Sequence, residues 1–197
     1  MNILSKKKCF WLMKKMEMMD HIVDHSIMVS NVAYFLSEKL KIFSPQLDSN
    51  LAASAALLHD ITKTRSFNTR EIHSETGCQM LIDLGYPEVG DIIRQHVLLD
   101  HYHKDTPVSE HEIVNYSDKR ILHNKVVSLD KRLRYIEKRY GSQKKIRHRM
   151  QFVREKTLAL EKKLFSPLDI SPDQLSGRMK KKLKKKTCPE EKSTGKY

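Results

Sequence analysis

An apolar segment that ends in two adjacent polar side chains constrains the fold of this chain more than any other feature. Residues 55–58 are alanines and leucines, and they lead directly into His59 and Asp60. A carboxylate and an imidazole that are carried into a protein core are costly unless a cation neutralises them, and a metal ion would do so. In the simpler interpretation, Asp60 caps a following turn and His59 is a hydrogen-bonded core histidine. The doublet alone leaves both interpretations open.

The composition favours an all-α fold. The chain of 197 residues is long enough for one domain with a core and additional tails, and six glycines and six prolines are few for a turn-rich β-sandwich or barrel. Its three cysteines are far apart and form no Cys-x-x-Cys pair, which argues against a disulfide framework and for a reducing compartment. No stretch approaches the length of a transmembrane helix, and we therefore expect a cytoplasmic protein.

The positive charge is concentrated near the C-terminus. Residues 178–197 contain nine lysines and arginines against two glutamates, a balance of +7 out of the formal net charge of +13. Such runs are typically solvated, so we predict that residues 166–197 form a disordered basic tail that can make weak contact with RNA or anionic lipid. Residues 1–17 are predicted to form a basic N-terminal arm.

Apolar periodicity predicts helices along the rest of the chain. Residues 49–59 are small and apolar almost all round, so this helix is expected to be central. A polar loop is expected over 62–70. The other predicted helices span 20–41, 71–84, 87–97, 109–123, 128–140 and 143–164, the last two forming a helical hairpin within a C-terminal extension over 126–165.

Histidines and aspartates fall on the apolar faces of these helices. Asp118, for example, is predicted to lie on the apolar face of the helix over 109–123, where an aspartate needs a specific partner. Nitrogen and oxygen ligands without sulfur suit Mn, Fe, Co, Ni, Zn or Mg and do not discriminate among them. The candidate ligands are His25, His59, Asp60, His73, His96 and Asp118.

The order of these residues resembles the HD-domain superfamily of metal-dependent phosphohydrolases. The resemblance covers about residues 18–125 and rests on three segments: the one that begins at His25, the run Leu57-Leu58-His59-Asp60-Ile61-Thr62-Lys63, and Ser117-Asp118-Lys119-Arg120. It implies an HD-domain helical bundle over 18–125. It also implies that one divalent metal ion is held by His25, His59, Asp60 and Asp118.

A second ion is implied by the family members that bind two. In those members two further histidines lie between the doublet and the final aspartate, and His73 and His96 resemble them. Thr62 stands where many members have glycine, which changes the turn and not the ligands. His96 is followed by Val97 and not by a second histidine, so His101 is an alternative ligand, and the choice between one and two ions stays open.

The resemblance implies an enzyme that cleaves a phosphate ester or anhydride of a small phosphorylated substrate by metal-activated water. A nucleotide is the expected substrate. Asp60 would orient the ions and the nucleophile, and Lys63 would hold the phosphate by charge. Lys119 and Arg120 are further candidates for substrate binding.

Two alternatives remain at this point. The first is a non-catalytic regulatory or RNA-associated protein that uses the fold as a scaffold, and the second is an RNA nuclease or phosphatase that uses tail and site together. The remaining histidines that we considered, expected to be structural or on the surface, are His21, His103, His111, His123 and His148.

Overall fold

The structure, a computed structural model, describes residues 4–100, 102–140 and 144–187. In the described residues the only strands are two of two residues each, which form a hairpin, so the prediction of an all-α fold is confirmed. The elements in order are α1 Lys6–Lys15, α2 Asp20–Leu40, α3 Ser49–Leu58, α4 Lys63–Thr69, α5 His73–Asp83, α6 Pro87–Arg94, α7 Glu110–Asp118, β1 Ile121–Leu122, β2 Lys125–Val126, α8 Leu129–Tyr140, α9 Lys144–Phe165, a 3₁₀ helix Pro172–Gln174 and α10 Leu175–Thr187.

Helix α3 is the central element, as its composition predicts. Asp48 caps it, since its side chain accepts hydrogen bonds from the backbone N–H groups of Asn50 and Leu51 at 2.8 and 3.0 Å. The helix packs against α1, α2, α6 and α7, and Ala52 and Ala55 are fully buried in these contacts. Small side chains let the neighbouring helices approach closely, so the C-terminal end of α3 lies inside the bundle.

The turns that position α6 and α7 follow the sequence signals. Gly85 has φ = 84°, a conformation that favours glycine, and Pro87 occupies the first turn of α6. Helix α7 begins with a capping box in which Ser109 and Glu112 satisfy each other's backbone N–H groups. These signals set where α6 and α7 begin, and both helices pack against α3.

Two local predictions are wrong. The helix expected over 109–123 ends at Asp118, and the chain then forms the β1–β2 hairpin, in which Ile121 pairs with Val126. His123 enters the turn with φ = 57°, a left-handed conformation that cannot continue a helix. The loop expected over 62–70 contains α4, a helix without any buried residue, so its sequence has no apolar stripe to reveal it.

Both chain ends pack more extensively than predicted. Helix α1 buries Cys9, Leu12 and Met13, so residues 4–17 belong to the folded body and do not form a separate arm. In α10, Leu175 and Met179 are also part of the core, and the prediction of disorder from residue 166 is wrong for residues 166–187. Residues 188–197 lie outside the described residues. Among the described helices, none has the length and apolar character needed to span a membrane.

Candidate metal centre

Helix α3 carries the His59-Asp60 pair into the interior. The helix ends at Leu58, and the two residues that follow are 0% and 1% exposed. Polar groups at this depth need partners. The other four predicted ligands approach the pair from α2, α5, the turn after α6, and α7.

Three of the histidines are oriented by backbone carbonyl groups. Nδ1 of His59 lies 2.8 Å from the carbonyl oxygen three residues before it, and Nδ1 of His96 lies 2.6 Å from the equivalent oxygen. Nδ1 of His25 lies 2.9 Å from the carbonyl oxygen of His123. A carbonyl oxygen can only accept, so each Nδ1 donates its proton to it and each Nε2 is directed into the cluster, where it can bind either a proton or a metal ion. Metal-binding histidines usually have such a second hydrogen bond.

The first group of converging atoms joins α2, α3 and α7. Nε2 of His25 lies 2.9 Å from Oδ1 of Asp118, and Nε2 of His59 lies 3.7 Å from the same oxygen. These three residues are therefore close enough to bind one ion together.

The second group lies on the other side of Asp60. Its Oδ1 is 3.2 Å from Nε2 of His73 and 3.6 Å from Nε2 of His96, and these two nitrogens are 3.2 Å apart. Its Oδ2 is 3.4 Å from Nε2 of His59, which belongs to the first group. Asp60 thus faces each group with a different oxygen, and the structure brings all six predicted ligands together.

The spacing and the missing hydrogen bonds fit a divalent cation. Two ligand atoms at about 2.1 Å from one ion, at angles of about 90–110°, lie about 3.0–3.4 Å apart. The nitrogen–oxygen separations in the first group, 2.9 and 3.7 Å, are close to this range. Nε2 of His59 and Oδ1 of Asp60 are buried without a hydrogen-bond partner. Lone pairs that face each other at these distances require a cation between them, which is either a proton or a metal ion.

The ionisation states also suit a cation. Burial opposes the charge on Asp60, but the charges of His59 and Lys63 hold its pKa well below the usual carboxyl range. Burial likewise opposes the charge on Asp118, and the hydrogen bond from His25 together with the charge of His59 holds its pKa well below that range. Burial and the charge of His59 lower the pKa of His96 to about 3, so this imidazole is neutral at pH 7. Two carboxylates and a neutral imidazole are the forms that bind metal ions.

Lys63 lies at the edge of the cluster, as predicted. Its ammonium group is 2.7 Å from Oδ2 of Asp60, and 32% of its side chain is exposed. Burial alone would lower its pKa, but the charges of Asp60 and Asp118 raise it, so the side chain is cationic. A positive charge therefore stands between the candidate metal centre and solvent.

Lys119 and Arg120, the further candidates for substrate binding, are nearly buried and are bonded to other parts of the protein. The ammonium group of Lys119 donates to the carbonyl oxygens of His96 and Asn115, and the residue is 5% exposed. The guanidinium group of Arg120 bonds to Glu161 at 3.1 Å and to two backbone carbonyl oxygens, and the residue is 2% exposed. Both side chains thus connect α7 to neighbouring segments of the chain through hydrogen bonds.

Arg132 is a residue near the site that the sequence reasoning missed. It comes from α8, and its Nη2 lies 3.7 Å from Oδ1 of Asp118. Nothing in its local sequence marks it, because α8 carries several basic residues. His101, the alternative ligand for the second ion, lies outside the described residues. His123 contributes only its carbonyl oxygen, which orients His25.

Comparisons with known proteins agree with this geometry. The family model described as "HD domain" matches residues 22–148, which is more than half of the chain. An uncharacterized protein of Methanocaldococcus jannaschii is 27% identical over 135 residues, an alignment that covers 62% of this chain and 79% of that relative. No solved structure matches the chain significantly.

Proposed function

We propose that this chain, which belongs to the HD-domain family, is a metal-dependent phosphohydrolase that hydrolyses the phosphate ester or anhydride of a small phosphorylated substrate. A nucleotide is the substrate class that we favour. The observation that carries the proposal is the arrangement of Asp60, whose two oxygens face two separate groups of imidazole nitrogens.

In this proposal the two groups bind two divalent ions. His25, His59 and Asp118 would hold the first ion, His73 and His96 would hold the second, and Asp60 would serve as a ligand to both. Ions bound there would neutralise phosphate oxygens and supply hydroxide at neutral pH. The protein contributes ligands whose orientation is already fixed, because backbone carbonyl groups hold three of the imidazoles in place.

Lys63 is proposed to bind the substrate phosphate. Its ammonium group sits on Oδ2 of Asp60, at the boundary between the cluster and solvent, where an incoming phosphate oxygen can replace or share that contact. A flexible ammonium group is suited to this because it binds phosphate as a point charge and tolerates several geometries.

The nucleotide preference is supported by Phe67. It follows Lys63 by one turn of α4, so the two side chains lie on the same face of the helix, and it is 54% exposed. An exposed aromatic ring one turn away from a phosphate-binding lysine is suited to stacking on a base, an interaction of about 1–3 kcal/mol. We expect Phe67→Leu to raise KM for nucleotides and not for para-nitrophenyl phosphate. Phe43→Leu, at a phenylalanine that is 53% exposed elsewhere, is the matched control.

Metal analysis combined with a hydrolysis screen tests the proposed function. Purified protein would be assayed for bound metal, and then for hydrolysis of nucleotides, dinucleoside polyphosphates, cyclic nucleotides and short RNA. Asp60→Asn preserves the shape of the side chain and removes its charge, and we expect it to abolish both metal binding and hydrolysis. Asp105→Asn, on the exposed loop before α7, is the control. Equal hydrolysis by wild type and Asp60→Asn would refute the proposal.

The non-catalytic alternative predicts a different result in the same screen. A scaffold protein would bind RNA with unchanged affinity when Asp60 is replaced, and it would hydrolyse none of the substrates. A carboxylate oxygen of Asp60 and an imidazole nitrogen of His59 are buried without hydrogen-bond partners, which is costly without a cation, and this cost favours the enzymatic function.

A further inference from the structure

Helix α8 holds one basic side chain against the cluster. Leu129 and Leu133 are 4% and 1% exposed, so this face of α8 packs into the protein. Arg132 lies between them in sequence and is fixed at the start of the helix by the hydrogen bond from its backbone N–H to the carbonyl oxygen of Ser128 at 3.1 Å. Arg134, two residues further along, points to solvent with 74% of its side chain exposed.

The guanidinium group of Arg132 is incompletely bonded. Its side chain is 14% exposed, and its Nε is buried without a hydrogen-bond partner. Nη2 is 3.7 Å from Oδ1 of Asp118, beyond the usual range of an N–H···O hydrogen bond. The group also lies 5.8 Å from the ring centre of Tyr135. A nearly buried guanidinium group normally satisfies more of its five donors, as Arg120 does in the same region.

Asp118 has a closer partner than Arg132. Its Oδ1 already receives His25 at 2.9 Å, with His59 at 3.7 Å. When an ion occupies the cluster, the charge of this carboxylate is neutralised further. The N–H groups of Arg132 can then still bind another acceptor, and they lie next to the candidate metal ligands.

Lys63 and Arg132 are cations that border the carboxylates from different elements. The ammonium group of Lys63 is on Asp60, and the guanidinium group of Arg132 is beside Asp118. The two positive charges are close enough to repel each other. An anion bound between them would relieve that repulsion, and a phosphoryl group carries the charge and the paired oxygens that a guanidinium group binds.

We propose that Arg132 binds the phosphoryl oxygens of the substrate through its Nε and Nη atoms, opposite Lys63. This inference rests on the proposed function for the identity of the anion as a phosphoryl group. It adds a substrate-binding residue that lies outside the three segments on which the family resemblance was based. Arg132 is a binding residue and not a metal ligand, so metal affinity should not depend on it.

The test measures phosphate binding and hydrolysis separately. Full-length protein loaded with Mn²⁺ would be titrated with inorganic phosphate and assayed for hydrolysis of para-nitrophenyl phosphate. The variants are Arg132→Gln, Arg132→Lys and the control Arg134→Gln, which makes the same change on the exposed face of α8. For Arg132→Gln we expect Kd for phosphate and KM to rise about 10- to 100-fold, the loss of charge-assisted hydrogen bonds, with Mn²⁺ affinity unchanged.

Arg132→Lys separates phosphate recognition from neutralisation of Asp118. If Arg132 binds phosphate in a bidentate manner, the lysine variant recovers only part of the phosphate affinity, because an ammonium group cannot reproduce that geometry. Full recovery by lysine, or unchanged Kd and KM in Arg132→Gln, would overturn the inference. Arg132→Lys also allows phosphate affinity to be measured if Arg132→Gln does not fold.

The outcomes for the inference and for the proposed function can be distinguished. Hydrolysis by wild type with no effect of Arg132→Gln would refute the inference and leave the proposed function standing. Weakened phosphate binding in Arg132→Gln, with no hydrolysis by wild type of any substrate in the screen, would support an anion site at Arg132 and refute the proposed function. Wild type that neither binds phosphate nor hydrolyses any of these substrates would refute both.

Discussion

Replacing Asp60 by asparagine should remove the stabilisation that metal binding gives to the fold. A ligand present at 100 times its Kd stabilises a protein by about 2.7 kcal/mol. For a chain of this size, each kcal/mol raises Tm by about 2–4 °C. We therefore expect Mn²⁺ at that excess to raise the Tm of wild type by about 5–10 °C for each ion bound. We expect a much smaller rise in Asp60→Asn, because Asp60 contacts both groups of ligands.

The metal-free protein should be much less sensitive to this substitution. Asp60 is 1% exposed, so removing its charge relieves a burial cost, but it also leaves Lys63 without its partner at 2.7 Å. These effects oppose each other, and Lys63 is exposed enough for its ammonium group to move into water. In EDTA we expect the free energy of unfolding to change by less than about 2 kcal/mol.

Differential scanning calorimetry over a Mn²⁺ series, with EDTA as the zero point, measures both quantities. Asp105→Asn should follow wild type throughout. If Asp60→Asn showed the same Mn²⁺-dependent rise in Tm as wild type, the assignment of Asp60 as the shared ligand would be wrong. A large loss of stability in EDTA would instead indicate that the pair with Lys63 is mainly structural.

The other predictions concern the second ion, phosphate binding, pH and the basic terminus. His73→Ala should lower the metal stoichiometry from two ions to one per chain while some metal is retained, and an unchanged stoichiometry would refute the two-ion arrangement. Lys63→Gln should raise KM for phosphate substrates about tenfold with Mn²⁺ affinity little changed, whereas a loss confined to kcat would argue against phosphate binding. In EDTA, the free energy of unfolding of wild type should decrease as pH falls from about 6.5 towards 3. The unfolded chain protonates His96 in this range, whereas burial and the charge of His59 keep the pKa of His96 in the folded protein at about 3. Urea unfolding of His96→Gln should lack this decrease, and parallel pH profiles of the two proteins would contradict the prediction. Removing residues 182–197 should weaken RNA binding and its salt dependence without reducing hydrolysis of para-nitrophenyl phosphate, and a parallel loss of hydrolysis would favour an RNA-directed enzyme.

The central helix and the identity of the cluster could be predicted because each has a strong local signal. Helix α3 combines small apolar residues with a capping aspartate, Asp48, and a helix of this composition is expected at the centre of a bundle. The six candidate ligands stand out because histidines and aspartates are unusual on apolar helix faces. Their convergence depends on tertiary packing, which local patterns do not predict. It was predicted from the order of the ligands along the sequence, which resembles that of the HD-domain superfamily.

The hairpin and the two chain ends could not be predicted from local patterns. The apolar residues Ile121 and Leu122 continue a helical spacing from α7, but the helix ends at Asp118 and the left-handed backbone at His123 turns the chain into the hairpin. Helices α1 and α10 are rich in lysine, which suggests solvation. Each nevertheless buries a few apolar side chains on one face, and residues such as Leu12 and Met179 join the core while their charged neighbours remain in water.

The basic residues near Asp118 show why burial alone does not identify a functional side chain. Lys119, Arg120 and Arg132 all lie within the folded body, and sequence reasoning selected the first two because they adjoin a ligand. Their contacts do not favour this choice, since Arg120 bonds to Glu161, 41 residues later in the chain, and Lys119 donates to backbone carbonyl oxygens. Such partners are determined by tertiary packing, so the local sequence does not predict them. What separates Arg132 is a buried donor that the protein does not satisfy, and an unsatisfied donor next to a carboxylate cluster is explained by an anion that the protein binds.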